Sequence, residues 1–160
     1  MKTTPPRKIL FVCLGNICRS PMAEGIFADL VKKAGLSHQF EIDSAGTGDW
    51  HLGELADIRS RNVAQAHEIA LTHRSRLMQS SDFDHFDLIL AMDEQNVFNL
   101  NRLASSAEQR AKIRLLRDFD PQGRGEVPDP YYGGIEGFER MYQMLLRCSR
   151  QLLTELTATE

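Results

Sequence analysis

Apolar runs along the chain alternate with segments in which apolar residues recur at helical spacing. Residues 8–13 and 88–92 are apolar almost throughout, which predicts strands that are buried on both faces of a sheet. Residues 40–46 begin with alternating apolar and polar positions and predict another strand. A shorter apolar run at residues 113–116 predicts a fourth.

Segments with helical spacing lie between and after these strands. Ser20 and Pro21 predict the start of the first helix, and Gly35 predicts its end. Residues 59–70 predict the second helix, with inward positions at Val63, Ala66 and either Ile69 or Ala70. Asp93 is expected to cap a third helix, which carries Val97, Leu100 and Leu103. The last helix has the longest stripe, formed by Phe138, Met141, Tyr142, Leu145, Leu146, Leu152, Leu153 and Leu156.

This alternation of strands and helices predicts an α/β fold. We expect a single domain over residues 1–160, a doubly wound, flavodoxin-like sheet of about four parallel strands with helices on both faces. Such sheets bind ligands beyond the carboxyl ends of their strands, near the point where the strand order reverses. The most unusual loop of the chain directly follows the first strand, so the functional site is expected there.

Composition and charge narrow the class of protein. The hydrophobic fraction of 42% and the charged fraction of 26% are ordinary for a soluble globular protein. The net charge of −3 gives no reason to expect nucleic acid or anionic lipid as a partner. No apolar run approaches the ~20 residues that span a bilayer, and the apolar stretch near the start is too short for a signal peptide. We therefore expect a cytoplasmic protein, and a monomer.

The three cysteines, Cys13, Cys18 and Cys148, are too few and too unevenly placed for a secreted disulfide framework. Cys13 and Cys18 have the spacing of half a metal site, but no second Cys or His pair with ligand spacing accompanies them. Neither a metal nor another cofactor is therefore expected. Cys148 lies on the last helix and is expected in the core.

The segment from Cys13 to Ser20 has the spacing of an oxyanion-binding loop. The five residues between Cys13 and Arg19 can form a crescent whose backbone N–H groups point inward. They are Leu14, Gly15, Asn16, Ile17 and Cys18. The following helix adds the positive end of its dipole, and Arg19 can donate two hydrogen bonds to phosphate oxygens. Cys13 lies at the base of this positive well, which favours a thiolate and therefore a nucleophile.

Neighbouring residues fit the same loop. Gly15 is expected where a side chain would collide with the ligand or require an unfavourable φ, and Asn16 tolerates left-handed backbone and can brace the loop. Ser20 is expected either to cap the helix or to donate a hydrogen bond to the Cys13 sulfur. A cysteine and an arginine at this spacing also occur by chance, and a cysteine at a strand end is commonly part of the core.

The sequence VCLGNICRSPMAE at residues 12–24 resembles the signature loop of the low-molecular-weight protein tyrosine phosphatases. Three further segments match in the same order: DSAGT at residues 43–47 followed by Trp50, FDLILAMD at 86–93, and DPYY at 129–132. The resemblance covers nearly the whole chain and is least distinctive between Gly53 and His73. It implies an enzyme that hydrolyses phosphotyrosine in proteins, and aryl phosphates, without a cofactor.

The resemblance also implies the catalytic roles. Cys13 attacks phosphorus and forms a cysteinyl-phosphate intermediate, Arg19 clamps the phosphate, and Asp129 donates a proton to the leaving oxygen. Asp129 then accepts a proton from the water that attacks the intermediate. Pro128 and Pro130 stiffen its loop. Without the resemblance, Asp129 would be interpreted as a turn aspartate before proline.

Other residues receive supporting roles from the same resemblance. Trp50, Tyr131 and Tyr132 are expected at the rim of the pocket, where they could flank a phenyl ring, and Ser44 is expected to form a hydrogen bond with Asn16. Cys18 could form a reversible disulfide with Cys13 that protects the nucleophile from irreversible oxidation, or could simply fill space. Tyr131 and Tyr132 are candidate phosphorylation sites.

Three alternatives remain open from the sequence. An arsenate reductase on a similar fold would bind a similar oxyanion, but its thioredoxin-linked branch needs two further cysteines in the middle of the chain, and residues 19–147 contain none. A phosphotyrosine-binding module would need neither the nucleophile nor the acid. A Cys–His hydrolase is disfavoured because none of the five histidines lies in a recognisable partner motif.

Overall fold

The computed structural model describes residues 5–158 of the chain. Its strands form one sheet in the order β2-β1-β3-β4, and every neighbouring pair is parallel. The strands are β1 (Arg7–Cys13), β2 (Phe40–Gly46), β3 (Leu88–Ala91) and β4 (Ile113–Leu115). The predicted α/β fold with a four-stranded parallel sheet is confirmed. Residues 1–4 and 159–160 of the predicted domain lie outside the described residues.

Helices connect and flank the strands. They are α1 (Arg19–Lys33), α2 (Ile58–Ala66), α3 (Asp82–His85), α4 (Glu94–Leu103), α5 (Ala107–Arg110) and α6 (Ile135–Thr157). Short 3-10 turns occupy Ser37–Gln39 and Leu116–Phe119. Within the described part of the chain, none of these helices has the length and apolarity needed to cross a membrane.

The sheet separates two hydrophobic cores, because successive side chains of a strand point to opposite faces. Ile9 and Phe11 of β1 face a larger core under α1 and α6. Leu10 and Val12 face a smaller core that includes Leu100 of α4. A strand whose two faces are both covered reads as the continuous apolar run seen at residues 8–13. Helices therefore lie on both faces of the sheet, as predicted.

Two predicted helices differ in detail from those observed. The second ends at Ala66, not at residue 70, because Glu68 has a positive φ of 64° and the N–H of Ile69 returns to the carbonyl of Ala64. Ala64 is consequently buried and Ala66 exposed, so the predicted inward position at Ala66 is wrong. On α4, Leu100 is fully buried but Leu103 is 49% exposed.

A buried ion cluster joins the loop after β4 to α6. Both carboxylate oxygens of Asp120 accept hydrogen bonds from Arg147 of α6, at 2.9 and 3.0 Å, and Arg117 donates to Asp120 at 2.8 Å. Burial opposes ionisation of this carboxyl, but Arg147, the Gln122 N–H and Arg117 outweigh it and lower the pKa of Asp120 to about 2. The cluster ties the chain that leads to the functional site onto the last helix.

Candidate active site

The site lies at the carboxyl end of β1, between β2 and β3, where the strand order reverses. Cys13 is the last residue of β1, and residues 14–18, called the anion loop below, lead into α1. The N–H of Thr47 donates to the Cys13 carbonyl at 3.0 Å, and the N–H of Gly48 donates to the Leu14 carbonyl at 2.8 Å. At Gly46 the two segments approach so closely that a Cβ would lie 2.8 Å from the Leu14 carbonyl oxygen.

Carbonyl groups of the anion loop are bonded away from its centre. The N–H of Asp57 donates to the Ile17 carbonyl at 2.8 Å, and the Ser75 hydroxyl donates to the Gly15 carbonyl at 3.0 Å. Among the described residues, no protein acceptor pairs with the N–H groups of Gly15, Asn16, Ile17 and Cys18. A set of unpaired N–H donors at a helix start is a site for an anion.

Cys13 is 3% exposed, and its Sγ lies 3.0 Å from the Ser20 hydroxyl. Ser20 lies inside the first turn of α1, which has Cys18 as its N-cap and no side-chain cap. Of the two roles predicted for Ser20, helix capping is therefore wrong and the contact with the Cys13 sulfur is present. A hydroxyl at this distance can donate a hydrogen bond to the sulfur and stabilise negative charge on it.

Asn16 braces the loop from behind. Its φ is 57°, the left-handed value that asparagine tolerates. The amide donates to the hydroxyls of Ser20 at 2.8 Å and Ser44 at 3.0 Å. Its carbonyl oxygen accepts from the Arg76 N–H at 3.0 Å and contacts His73 Nε2 at 2.8 Å. Asn16 thus connects the Cys13–Ser20 pair to the chain after residue 70.

The expected reason for glycine at position 15 is only partly supported. Gly15 is not among the glycines with a positive φ, so the φ-based alternative is wrong. A Cβ at Gly15 would instead lie 3.2 Å from a ring carbon of His51, a contact tighter than most. His51 also lines the site.

A polar cluster supports Asn16. His73 Nδ1 lies 3.2 Å from Glu24 and 3.4 Å from Asp43, and the Ser44 hydroxyl donates to Glu24 at 2.6 Å. Burial raises the pKa of Glu24 to about 7 and lowers the pKa of His73. Glu24, Asp43 and His73 have the spacing of cation ligands, but in this structure the two carboxylates lie at ion-pair distance from His73 and each of the three side chains hydrogen-bonds to another neighbour.

Arg19 is buried and held from two sides. One terminal nitrogen donates to Asp93 at 2.6 Å and to the Val127 carbonyl at 3.0 Å, and the other lies 3.6 Å from Asp129 Oδ2. Burial disfavours the cation, but Cys13, Asp93 and Asp129 together raise the pKa of Arg19. Asp93 also caps α4, as predicted, through a capping box with Asn96. The guanidinium is therefore fixed before any ligand binds.

Asp129 is both a turn aspartate and a residue of the cleft, the two positions that the sequence left open for it. Its Oδ1 accepts a hydrogen bond from the Tyr131 N–H at 3.0 Å, which is the contact of a turn aspartate. The side chain is 39% exposed and lines the same cleft as Cys13. A carboxyl that is held by a turn and open to the cleft can exchange a proton with a bound group.

The cleft over Cys13 has a volume of about 410 Å³. It brings together most of the predicted site residues, and its lining consists of Cys13, Leu14, Gly15, Ile17, Cys18, Arg19, Trp50, His51, Asp129, Tyr131 and Tyr132. Three predicted residues, Asn16, Ser20 and Ser44, lie behind the loop and do not line the cleft. The hydrogen bond predicted between Ser44 and Asn16 is present.

Aromatic side chains form the rim of the cleft. The Tyr131 and Tyr132 rings meet edge to face with centroids 5.0 Å apart, and the Arg59 guanidinium lies 5.5 Å from the Tyr131 ring centroid. Trp50 is 67% exposed and Tyr132 94% exposed. Sequence reasoning missed His51, whose ring centroid lies 6.1 Å from that of Tyr131.

All three cysteines are free thiols. Burial, followed by the nearby Asp57 carboxylate, raises the pKa of the Cys18 thiol far above its usual value, and burial raises the pKa of Cys148 to about 12. Cys148 is fully buried, as predicted. Cys18 is therefore a neutral thiol in this state, and its disulfide with Cys13 stays a prediction.

The comparisons with known proteins agree with this geometry. A family model described as low molecular weight phosphotyrosine protein phosphatase matches residues 8–160. The chain belongs to this family. A low molecular weight protein-tyrosine-phosphatase of Streptomyces coelicolor is 49% identical over 149 residues, which cover 91% of each chain. The family and hydrolase class expected from the sequence motifs are thereby confirmed.

Solved structures give the same result. The crystal structure of a protein tyrosine phosphatase from Entamoeba histolytica, with Hepes in its active site, superposes with a TM-score of 0.92 at 40% identity. That match covers 96% of this chain and 98% of the other. A Drosophila arginine phosphatase superposes with a TM-score of 0.88 at 33% identity, covering 96% and 99%. The fold is therefore that of the phosphatase family.

Some important residues of the site were missed in the sequence. Asp93 was assigned only as a helix cap, although it follows β3, the strand beside β1, and parallel strands end at the same edge of a sheet. That position was a usable signal for its contact with Arg19. His73 gave no such signal, because it lies outside the strands and helices and 57 positions from its partner Asn16.

Proposed function

We propose that this phosphatase hydrolyses phosphotyrosine in proteins, and other aryl phosphates, through a cysteinyl-phosphate intermediate. The observation that carries the proposal is the convergence of three groups on one cleft: the Cys13 thiol at its base, the Arg19 guanidinium beside it and the Asp129 carboxyl at its opening. These are the nucleophile, the phosphate clamp and the proton donor that two successive displacements require.

The first displacement forms the intermediate. The Cys13 thiolate, stabilised by the Ser20 hydroxyl, attacks phosphorus while the bond between phosphorus and the phenolic oxygen breaks. Asp129, in its protonated form, transfers its proton to that oxygen, and the phenol leaves. The N–H groups of the anion loop and the Arg19 guanidinium hold the three equatorial phosphoryl oxygens, where negative charge is concentrated.

The second displacement regenerates the enzyme. Asp129, now ionised, accepts a proton from a water molecule whose oxygen attacks phosphorus. The sulfur–phosphorus bond breaks, inorganic phosphate leaves, and Cys13 is again a thiolate. Neither step changes an oxidation state. The same carboxyl acts first as acid and then as base, which its position at the mouth of the cleft permits.

Substrate class follows from the depth and walls of the cleft. Cys13 is buried beneath the anion loop, whereas Trp50, Tyr131 and Tyr132 stand at the opening. A long aryl phosphate can reach the sulfur while its ring contacts these aromatic side chains. A phosphoserine side chain is too short to do both.

The cellular setting belongs to the same proposal. We propose a cytoplasmic enzyme, because free Cys13, Cys18 and Cys148 suit a reducing compartment. We also propose that it acts as a monomer on phosphotyrosine-containing proteins. Residues of a single chain supply the nucleophile, the clamp and the acid, so a second copy is not needed to complete the site.

The test is hydrolysis of p-nitrophenyl phosphate in EDTA under reducing conditions, by wild type, Cys13→Ser and Asp129→Ala. We expect turnover by wild type and none by Cys13→Ser. Asp129→Ala should be slower by about 10²- to 10⁴-fold, the usual contribution of a positioned acid or base. Rapid quenching of wild type should trap phosphate on Cys13.

Two outcomes would contradict different parts of the proposal. An inactive wild type, or a Cys13→Ser variant that keeps its rate, would remove the nucleophile and with it the mechanism. Peptides that carry phosphoarginine, compared with matched phosphotyrosine peptides, test the substrate class separately. Faster turnover of phosphoarginine would contradict the aryl substrate and leave the two displacements intact.

A further inference from the structure

A second depression lies beside the active-site cleft, on the side of α4. It has a volume of about 290 Å³ and is lined by Leu14, Thr47, Trp50, Asn99, Arg102 and Leu103. Leu14 and Trp50 also line the active-site cleft, so the two depressions share a wall. This second depression is called the α4 groove below. No step of the proposed mechanism uses it.

Arg102 gives the α4 groove a positive charge that forms no salt bridge within residues 5–158. Its side chain is exposed, and among the described residues it forms no salt bridge and no hydrogen bond. Its guanidinium carbon lies 5.8 Å from the centre of the Phe98 ring, which leaves the N–H donors available. The wall opposite Arg102 includes Thr47 and Trp50, and Asp49, which lies between them in the sequence, does not line the groove.

Two further polar groups belong to the groove wall, the Thr47 hydroxyl and the Asn99 side-chain amide. The Thr47 hydroxyl oxygen is inaccessible to solvent and has no hydrogen-bond partner among the described residues. The buried hydroxyls of Ser60 and Ser149, which line neither depression, also lack a partner, so it is Arg102 and the exposed apolar walls that indicate a ligand. Asn99 accepts a hydrogen bond from Gln95 at 3.4 Å, and its own amide N–H groups have no described acceptor.

Apolar side chains complete the groove. Leu103 is 49% exposed and Trp50 67% exposed, although both are large hydrophobic residues. A ligand that suits these walls has a short aliphatic segment that ends in an anion: the segment packs on Leu103 and Trp50, and the anion meets Arg102. A glutamate or aspartate side chain has this chemistry.

We propose that the α4 groove binds an acidic side chain of the polypeptide substrate, close in sequence to the phosphotyrosine. This inference rests on the proposed function and names a preference of the same enzyme. In an extended peptide each residue advances by about 3.3 Å. A groove that shares a wall with the catalytic cleft is therefore within reach of residues one to three positions from the phosphotyrosine.

The expected preference is modest because Arg102 is exposed and its charge is screened. Exposed ion pairs change an equilibrium by about two- to fivefold, and we expect that range for the gain in kcat/KM from one well-placed glutamate. Raising the salt concentration should reduce the gain, since ions screen exposed charges. A preference that survives 1 M salt unchanged would not come from Arg102.

The experiment uses synthetic peptides with one phosphotyrosine and otherwise uncharged residues. A single glutamate is placed at each position from three before to three after the phosphotyrosine, and each peptide is paired with its glutamine counterpart. The readout is the ratio of kcat/KM for the glutamate peptide to that for the glutamine peptide. This ratio cancels effects of a variant on the chemical step.

Wild type, Arg102→Ala and Arg102→Glu are compared. We expect wild type to favour glutamate at one or two neighbouring positions, Arg102→Ala to bring the ratio there to about one, and Arg102→Glu to reverse it. Arg150→Ala is the matched control, because Arg150 is an exposed arginine of α6 that lines neither depression. Its ratios should equal those of wild type.

The outcomes separate the two proposals. If wild type hydrolyses p-nitrophenyl phosphate and every peptide but shows no glutamate preference, or a preference unchanged in Arg102→Glu, the groove proposal is overturned and the phosphatase proposal stands. If p-nitrophenyl phosphate and phosphotyrosine peptides are not hydrolysed, both fail. An equal loss of the preference in Arg150→Ala would assign it to the net charge of the protein, which also overturns the groove.

Discussion

The floor and the rim of the cleft are built in opposite ways. At the floor and directly behind it, Cys13, Arg19 and Asn16 are each no more than 3% exposed, and each has hydrogen-bonding partners with fixed positions. At the rim, Trp50 is 67% exposed and Tyr132 is 94% exposed. The groups that hold the phosphate are thus set before a substrate binds, whereas those that meet the rest of the substrate are largely in solvent.

This difference separates chemistry from recognition. Transition-state stabilisation depends on donors that do not need to reorganise, so it favours a buried and fully bonded floor. Recognition of varied protein partners tolerates adaptable surface groups, whose individual contributions are small. Equivalent substitutions should therefore have large effects at the floor and small effects at the rim, and the following predictions test that contrast.

The largest effect is expected for Arg19→Lys. Lysine keeps the charge but loses the planar fork that bonds Asp93 and Val127 and that we assign to the phosphate. We expect kcat/KM for p-nitrophenyl phosphate to fall by about 10²- to 10³-fold, the usual loss when one oxyanion donor is removed. Steady-state assays of purified variants measure it.

Arg59→Lys is the matched rim substitution, since the Arg59 guanidinium lies over the Tyr131 ring at 5.5 Å. We expect kcat/KM for p-nitrophenyl phosphate to fall by less than about fivefold, because this cation–π contact is worth only about 0.5–1 kcal/mol at an exposed site. Losses of similar size in Arg19→Lys and Arg59→Lys would show that floor and rim do not differ as argued.

Asn16→Ala should give the next largest effect. It removes the hydrogen bonds to Ser20, Ser44 and Arg76. The Arg76 N–H then lacks its acceptor, and the two hydroxyls keep only Cys13 and Glu24 as partners. We expect the free energy of unfolding to fall by about 2–4 kcal/mol and kcat/KM to fall by about tenfold or more, since Ser20 is no longer held against Cys13. Urea unfolding and the same kinetic assay measure both.

Asn16→Gly separates the two contributions of this residue. Glycine accepts the φ of 57° without strain but also lacks the amide. It should recover about 1 kcal/mol of stability relative to alanine while keeping the loss of activity. Full recovery of activity in Asn16→Gly would mean that backbone conformation, not bracing, is what the loop needs.

Asp120→Asn changes a buried polar residue that lines neither depression. It therefore tests the contribution of a buried ion cluster to stability, apart from the active site. Its pKa falls from 3.8 to about 2 on folding. A carboxyl group whose pKa is lowered on folding stabilises the folded state at pH values above its unfolded-state pKa. That contribution disappears as the pH falls toward its folded-state pKa. The shift corresponds to about 2 kcal/mol.

Urea unfolding of wild type and Asp120→Asn at several pH values measures this contribution. We expect wild type to be more stable than the variant by about 2 kcal/mol at pH 7. The difference should decrease as the pH falls from about 4 toward 2, where wild-type Asp120 becomes protonated. If the difference in the free energy of unfolding is constant over this pH range, it comes from packing and not from the ion cluster.

The smallest effect is expected for Trp50→Ala at the rim. The ring is mostly in solvent, so we expect the free energy of unfolding to change by less than about 0.5 kcal/mol. Its loss should raise KM for p-nitrophenyl phosphate by about threefold and leave kcat nearly unchanged, because the ring is proposed to contact the aryl group and not the phosphorus. A large fall in kcat would place Trp50 with the floor.

Sequence reasoning succeeded where the structure is local. The strand, the anion loop and the helix start are contiguous from residue 8 to Pro21, and their patterns follow from backbone geometry and burial within that one segment. The sheet and its helices were predictable for the same reason, because each element carries its own periodicity. Helix ends were less predictable: Glu68 adopts a positive φ that nothing in its residue type requires.

Contacts between distant segments could not be derived from spacing. Asn16 meets His73 across 57 positions, Arg19 meets Asp93 across 74, and Arg19 meets Val127 across 108. A side-chain hydrogen bond depends on where two chain segments pass each other in space, and a single sequence carries no periodic signal for that. His51 in the cleft and Arg102 in the α4 groove went unnoticed for the same reason.

By itself, the sequence determined the fold class, the anion loop with Cys13 and Arg19, and, through its motifs, the family. These depend on residues close together in the chain, where hydrophobic periodicity and loop length restrict the backbone directly. Tertiary structure alone decided that Ser20 faces the Cys13 sulfur, that His73 and Glu24 stand behind Asn16, and that Arg102 faces an open groove. Those contacts arise only when the helices pack on the sheet and bring distant side chains together.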